Sequence, residues 1–159
     1  MDRYEALWTL AEIQHGMVAR RQARRLRFDS GAVGRLITSG EWSPAGAHVI
    51  RRRGSPQTRD QELILAVLDA APGAVLSRPS AAELWAVHAF NGQHVEVTQS
   101  RGRSRSASIA KVHRPVLLLP HHITEVRGIP VTTLPRTIFD IAPLLREEQL
   151  DLLIDRVIA

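Results

Sequence analysis

Residues Val18–Trp42 read VARRQARRLRFDSGAVGRLITSGEW and contain two short apolar patterns separated by a turn. Ala19, Ala23 and Leu26 recur at the spacing of one helix face, which predicts a first helix. The other faces of that helix carry Arg20, Arg21, Gln22, Arg24 and Arg25. Phe28 is expected to fill the turn that follows.

A second helix is predicted directly after the turn, where Asp29 or Ser30 can cap its first N–H groups. Three apolar side chains then share the inward face: Val33, Leu36 and Ile37. The opposite face carries Ala32, Arg35 and Ser39, and it is the surface that we expect to meet a partner.

The residues of this outer surface are typical of a DNA-binding helix-turn-helix. Gly31 and Gly34 each cost about 1 kcal/mol relative to alanine in a helix interior, so a purely structural helix would not favour them. Glycines allow a backbone to approach phosphates closely, and a helix N-terminus offers free N–H groups to an anion. Arg35 is long enough to fork onto a guanine edge in the major groove. The alternative interpretation is a helical hairpin with a solvated arginine face.

The residues after Gly40 predict two short strands within 42–53, joined by a turn at 44–46. A strand pair in this position would be the wing of a winged helix. Three arginines follow the returning strand and are predicted to meet a phosphate backbone: Arg51, Arg52 and Arg53. Because Gly54-Ser55-Pro56 marks a junction, we predict a winged helix-turn-helix DNA-binding domain over residues 1–56.

The positive charge of the chain is concentrated in this first part. The 159 residues carry a net charge of +5, and residues 1–60 account for all of it with 11 arginines against 6 acidic residues. Residues 61–159 hold 10 basic and 10 acidic residues. A basic segment joined to a neutral one is typical of a nucleic-acid-binding module attached to a second domain. The chain has no cysteine and no long apolar run, so we expect a cytoplasmic protein without a membrane partner.

Residues 57–159 predict a small mixed α/β domain, which places the whole chain in the α+β class. Capping boxes mark two helix starts, at Thr58–Gln61 and at Ser80–Glu83. The first of these helices is apolar almost all round and should be buried. Strands are expected at His94–Thr98, at Ile109–Arg114, and on either side of a tight turn at Arg127-Gly128. The polar segment Gln99–Ser106 is predicted to be an exposed hairpin loop, with a second nucleic-acid contact as the alternative.

Two helices are expected at the end of the chain. The first should contain an Arg136–Asp140 ion pair and point three side chains inward: Ile138, Phe139 and Ile141. The last begins at Glu147 and is predicted to bury Leu150, Leu153, Ile154 and Val157. Its acidic residues form either a solvated face or a surface for a basic protein: Glu147, Glu148, Asp151 and Asp155. The chain stops inside this helix, so we interpret the second domain as truncated at its C-terminus.

No catalytic residue, cofactor site or metal site is predicted, and we expect that the protein is not an enzyme. The single lysine, Lys111, follows Ile109-Ala110 and cannot complete the Glu-x-Lys pair of a metal-dependent nuclease. His121 and His122 are adjacent, so on a strand they would point to opposite faces. No serine nucleophile set and no glycine-rich phosphate loop are found at motif spacing.

The order of motifs along the chain resembles the AbiEi family of antitoxins and transcriptional regulators. The matching stretches are Gly16–Ala23 through Gly40–Trp42, Ser77–Trp85, Val95–Thr98 followed by Arg101–Arg103, and Gly128–Thr133 leading to Arg136–Asp140. The resemblance implies an N-terminal winged helix that represses its own operon. It also implies a second domain that counters a nucleotidyltransferase-like toxin of a type IV toxin-antitoxin system. The chain differs at Gly46-Ala47-His48, where relatives have a Gly-Val-Tyr-like strand, and it lacks the Vsr-like endonuclease domain of many relatives.

In this interpretation the chain binds double-stranded operator DNA, which we expect to be an inverted repeat. Arg35 reads bases together with Ser30 and Ser39. The DNA backbone is held by Arg20, Arg21, Arg24 and Arg25, and the wing residues Arg51, Arg52 and Arg53 clamp a neighbouring phosphate or the minor groove. Two alternatives stay open: a protein-interaction module within residues 61–159, or the non-catalytic front part of an endonuclease-domain protein. The oligomeric state is not predicted.

Overall fold

A computed structural model describes residues 2–87, 94–99 and 109–158, with side chains as far as Asp155. Within these residues the chain is of the mixed α+β class, as predicted, with seven α-helices and two sheets. The elements up to residue 52 are α1 (Arg3–Ile13), β1 (Met17–Ala19), α2 (Arg20–Arg25), α3 (Ser30–Thr38), β2 (Trp42–Pro44) and β3 (Val49–Arg52). We call this part the first unit.

The second unit follows from residue 59 onward. Its helices are α4 (Arg59–Asp69), α5 (Arg78–Leu84), α6 (Leu134–Ile141) and α7 (Glu147–Ile158). Its strands are β4 (Val75–Leu76), β5 (Val95–Thr98), β6 (Ala110–His113), β7 (Ile123–Val126) and β8 (Ile129–Thr132). Short 3-10 helices lie at Pro120–His122 and Ala142–Leu144. None of the helices in the described part of the chain has both the length and the apolar character needed to cross a lipid bilayer.

The sheet of the first unit has the order β1-β3-β2, and all its pairs are antiparallel. Strand β1 was not predicted from the sequence. Ala19, expected on the first helix, instead pairs with Val49 in this strand, and α2 begins one residue later. A short apolar run such as Met17–Ala19 has no periodicity that separates a strand from a helix.

The two faces of this sheet contribute to two different cores, because successive side chains of a strand point to opposite faces. Val18 and Ile50 face the first core, where α1, α2 and α3 pack around Phe28 and Trp42. Met17, Ala19 and Val49 face the second core, which also contains most of α4 and strands of the second unit. The second core therefore continues across the predicted boundary between residues 56 and 57.

The turn of the β7–β8 hairpin also joins the two units. The backbone carbonyl of Arg127 accepts a hydrogen bond of 2.7 Å from His15 Nε2 just after α1. Within the second unit, the guanidinium of Arg127 binds both carboxylate oxygens of Asp60 in α4, at 2.8 and 3.0 Å. Arg127 and Gly128 both have positive φ, as the predicted tight turn requires.

The second sheet has the order β6-β5-β4-β8-β7. Strand β6 runs parallel to β5, so the prediction of a hairpin between these strands was wrong. A parallel pair needs a crossover and cannot be joined by a tight turn. Residues 100–108, which include Arg101, Arg103 and Arg105, lie outside the described residues, and the alternative of a nucleic-acid contact there stays a prediction.

The predicted helix starts are confirmed at two of three places. Asp29 caps α3 by accepting a 2.7 Å hydrogen bond from the backbone N–H of Ala32, and Thr58 caps α4. The side chain of Gln61 does not close the predicted capping box but donates to the backbone carbonyl of His15. Ser80 was expected to cap a helix but lies inside α5, which begins earlier because Pro79 favours its first turn.

Two apolar side chains that we expected to be buried are exposed. Phe139 on α6 and Ile154 on α7 lie at the surface, whereas Ile141 and Leu153 on the same helices are buried. On α1, Tyr4 and Ile13 are likewise exposed, and Leu7 is buried. Each of these helices packs on one side only, and the exposed residues fall outside the stripe that reaches the core. The side chain of Val157 lies outside the described residues.

Candidate nucleic-acid interface

The outward face of α3, the predicted reader of DNA bases, is open to solvent. Its exposed residues are Ser30, Gly31, Gly34, Arg35, Thr38 and Ser39. No residue from Ser30 to Thr38 is acidic. Ala32 was predicted on this face, but it is buried in the first core. The face therefore combines small or hydroxyl side chains with one long cation.

Arg35 lies along this face towards the start of α3. Its Nη1 atom would be 3.6 Å from a Cβ atom placed on Gly31, so the guanidinium extends over that glycine. A Cβ atom on Gly34 would have no neighbour within 4 Å. Packing within the described chain therefore gives no reason for glycine at Gly34, although glycine destabilises a helix interior. Close approach of another molecule to the helix backbone would give such a reason.

The arginines of α2 do not share one role. Arg24 and Arg25 are exposed, and Arg20 is half-buried. Arg21 was predicted to hold a phosphate backbone, but its Nη1 atom donates to the carbonyl of Leu68, at 2.5 Å. This bond ties α2 to the C-terminal end of α4, where carbonyl groups attract a cation. Arg21 is therefore engaged within the protein, and its assignment as a DNA contact stays a prediction.

Arg51 and Arg52 were expected to follow the wing, but both lie within the central strand β3. Their side chains point to opposite faces, as neighbours in a strand do. Arg51 lines a groove on the side of α4. Arg52 lies on the side of α1, 4.5 Å from the centre of the Trp8 ring and 3.6 Å from the carboxylate of Glu12. A joint clamp of these two arginines on one phosphate is not possible.

Arg53 is the member of this group that reaches α3. It is exposed, and its Nη1 atom would lie 3.7 Å from a Cβ atom on Gly40, just after the end of α3. Arg27 was not predicted as a contact, but it is exposed in the turn before α3 and has a φ of 64°. The sequence does indicate it, because Arg27 is the last residue of the arginine-rich segment Arg20–Arg27, which extends beyond the predicted helix.

The loop between β2 and β3, which was predicted to form the tip of a wing, is attached to the second unit. The backbone N–H of His48 donates a 2.8 Å hydrogen bond to the carboxylate of Asp69, which is fully buried. A Cβ atom on Gly46 would lie 2.7 Å from the same carboxylate. This close packing leaves the loop little freedom to move towards a partner.

Among the described residues, no group of three or more His, Cys, Asp and Glu side chains could hold a metal ion. No family model matches the chain, and no curated protein matches it. The resemblance to the AbiEi family therefore rests on the sequence motifs alone.

Proposed function

We propose that this protein is a sequence-specific DNA-binding transcriptional regulator, and that α3 is its recognition helix. The observation that carries the proposal is the exposed face of α3, which has no acidic residue, two glycines and a single long cation, Arg35. A helix of this kind can lie close to the floor of the major groove, with Arg35 bidentate to the O6 and N7 atoms of a guanine. Ser30 and Ser39 would contact bases or sugars beside it.

Phosphate contacts in this proposal come from exposed arginines on both sides of α3. Arg24, Arg25 and Arg27 precede the helix, and Arg53 lies near its C-terminal end. Such contacts position the protein on the duplex and make its affinity depend on salt. We also propose that the first unit is a winged helix. Its helices α2 and α3 are followed by the strand pair β2–β3, which is the order of elements in a winged helix. The loop of this wing would serve as a structural link to Asp69 instead of a DNA contact.

The family resemblance extends the proposal to an antitoxin that represses its own operon. In that case the second unit counters a nucleotidyltransferase-like toxin. Deleting residues 1–56 would be a poor test, because Met17, Ala19 and Val49 cover part of the core of the second unit. The single substitution Arg35→Ala is a better test: it should weaken repression and leave neutralisation of the toxin intact.

The decisive experiment measures binding to DNA from the upstream region of the gene by fluorescence anisotropy. A scrambled duplex of the same length gives the non-specific affinity, and a salt series gives the number of phosphate contacts. Arg35→Ala should reduce the preference for the upstream duplex by about 1–3 kcal/mol, and Arg24→Ala should reduce the salt slope by about 1. Arg146→Ala is the matched control, since Arg146 is exposed in the second unit.

The proposal fails if the parent protein binds both duplexes equally and Arg35→Ala has the affinity of the parent. In that case α3 is a solvated basic helix, and the function lies in binding of another protein.

A further inference from the structure

The second unit exposes more apolar surface than its own packing explains. Six large apolar side chains are exposed between residues 116 and 154: Val116, Leu117, Phe139, Leu144, Leu152 and Ile154. Val116 is 84% exposed and Phe139 is 74% exposed, so neither contributes to a core. Exposed apolar side chains grouped with polar ones are typical of interaction sites.

One of these side chains borders a groove of about 660 Å³ beside α6. We call it the α6 groove, and its lining residues are His121, His122, Thr133, Pro135, Arg136 and Phe139. Arg136 is held in place by Asp140, whose two carboxylate oxygens lie 3.0 and 3.1 Å from Nε, and by the carbonyl of Leu117, at 3.2 Å from Nη1. The Nη2 atom of Arg136 takes no part in these bonds.

The hydrogen bonds of His122 determine which of its nitrogen atoms carries the proton. The backbone N–H of Leu119 donates to Nδ1 at 3.2 Å, and Nη1 of Arg136 lies 3.3 Å from the same atom. A nitrogen that faces two donors is unprotonated, so the proton is on Nε2, which acts as a donor. Desolvation, the neighbouring His121 and Arg136 lower the pKa of His122, in agreement with a neutral ring. The groove thus offers hydrogen-bond donors beside an aromatic ring and a proline.

The exposed face of α7 has the complementary chemistry. Glu148, Asp151, Leu152 and Asp155 follow the i, i+3, i+4, i+7 spacing of one helix face, and all four are exposed. Leu153 on the opposite side is buried in a small core with Ile141. An apolar side chain flanked by carboxylates matches an apolar groove that presents donors.

We propose that two copies of this chain associate, with the exposed face of α7 of one copy bound in the α6 groove of the other. Leu152 packs against Phe139 and Pro135, and the α7 carboxylates accept hydrogen bonds from His122 and Arg136. A two-fold axis makes the contact twice. The association depends on the second unit alone, so it is independent of the proposed DNA binding, and it would place two copies of α3 in one particle.

Sedimentation velocity on the full chain without DNA, over a dilution series, tests the association. Phe139→Ser and Leu152→Ser change exposed side chains and should leave the fold intact, as circular dichroism will verify. Each should raise the dimer dissociation constant about tenfold or more. Ile13→Ser is the control, because Ile13 is an exposed apolar residue of the first unit.

A mixture of the two variants identifies the pairing. A mixed dimer has two different contacts. In one, the unchanged α7 of the Phe139→Ser chain binds the unchanged groove of the Leu152→Ser chain. In the other, both substitutions lie in the same contact. Mixed dimers should therefore be tighter than either variant's own dimer, since paired substitutions in contact are not additive. The proposal is overturned if the parent stays monomeric throughout the series. It is also overturned if Ile13→Ser raises the dissociation constant as much as the two groove and α7 variants do. A parent-like dissociation constant for Leu152→Ser, or a mixed dimer no tighter than the variants' own dimers, overturns it too.

Discussion

Replacing Gly128 with alanine should destabilise the protein more than replacing Gly73, although both glycines have the left-handed backbone. Their φ angles are 76° and 82°, and such a conformation costs an alanine about 1–2 kcal/mol at either position. The two positions differ in their surroundings. A Cβ atom on Gly73 would have no neighbour within 4 Å, whereas one on Gly128 would overlap the backbone carbonyl oxygen of Ile13.

This overlap cannot be relieved by rotating a side chain, because the obstacle is backbone at the end of α1. The β7–β8 turn must move away, which weakens the 2.7 Å hydrogen bond from His15 to the carbonyl of Arg127. Overpacking costs about 1–3 kcal/mol, and a hydrogen bond contributes about 0.5–1.5 kcal/mol. We therefore expect Gly128→Ala to lower the free energy of unfolding by about 1.5–4.5 kcal/mol more than Gly73→Ala.

Urea unfolding followed by circular dichroism gives the free energy of unfolding of both variants. If the slope of that free energy against urea concentration is the same in both, the two unfolded states are equally compact. Equal destabilisation by the two substitutions would refute the reasoning. It would mean that the hairpin turn does not press on α1 and that the contact between the units is looser than described.

Three further predictions test individual residues. Arg21→Ala should lower the free energy of unfolding in urea by about 1.5–3 kcal/mol, because Arg21 binds the carbonyl of Leu68 in α4. Arg24 is exposed, so Arg24→Ala should change that free energy by no more than about 0.5 kcal/mol; the reversed order would show that the Arg21 bond does not stabilise the fold. Asp29→Ala should cost about 0.5–2 kcal/mol through loss of the α3 cap, and no loss of stability would show that the cap is dispensable. The pKa of His122 lies below its usual value of 6.5, so the unfolded chain binds the proton more readily and stability should fall as the pH drops below about 6.5. His122→Gln should reduce that fall, and an NMR titration that finds the imidazole at or above 6.5 would contradict the prediction.

Helix starts and tight turns were predictable because they depend on residues within about four positions of one another. The cap at Asp29 is set by its own side chain and the N–H groups directly after it. The turn at Arg127-Gly128 is set by a glycine that tolerates positive φ. The α+β class followed from such local signals. By contrast, β1 is too short to show a period, and Ser80 matches a capping box but lies downstream of the true helix start.

The candidate interface was predictable only in part. The basic run identified α2 and α3, and the apolar spacing identified which side of α3 is buried. Arg21 and Arg24 look equivalent in the sequence, since both are arginines in one short basic helix. Only the position of α4 determines that Arg21 is bound to carbonyls and Arg24 is exposed.

The sequence by itself determined most of the helices and strands of this protein, the caps at Asp29 and Thr58, the turn at Arg127-Gly128, and the concentration of positive charge within residues 1–60. Tertiary structure decided the parallel pairing of β5 with β6, the attachment of the β2–β3 loop to Asp69, and the shared core of the two units. The physical reason is the range of the interactions. Caps and turns are made between neighbours in the chain, whereas strand partners and the free or bound state of an arginine depend on residues far away in sequence.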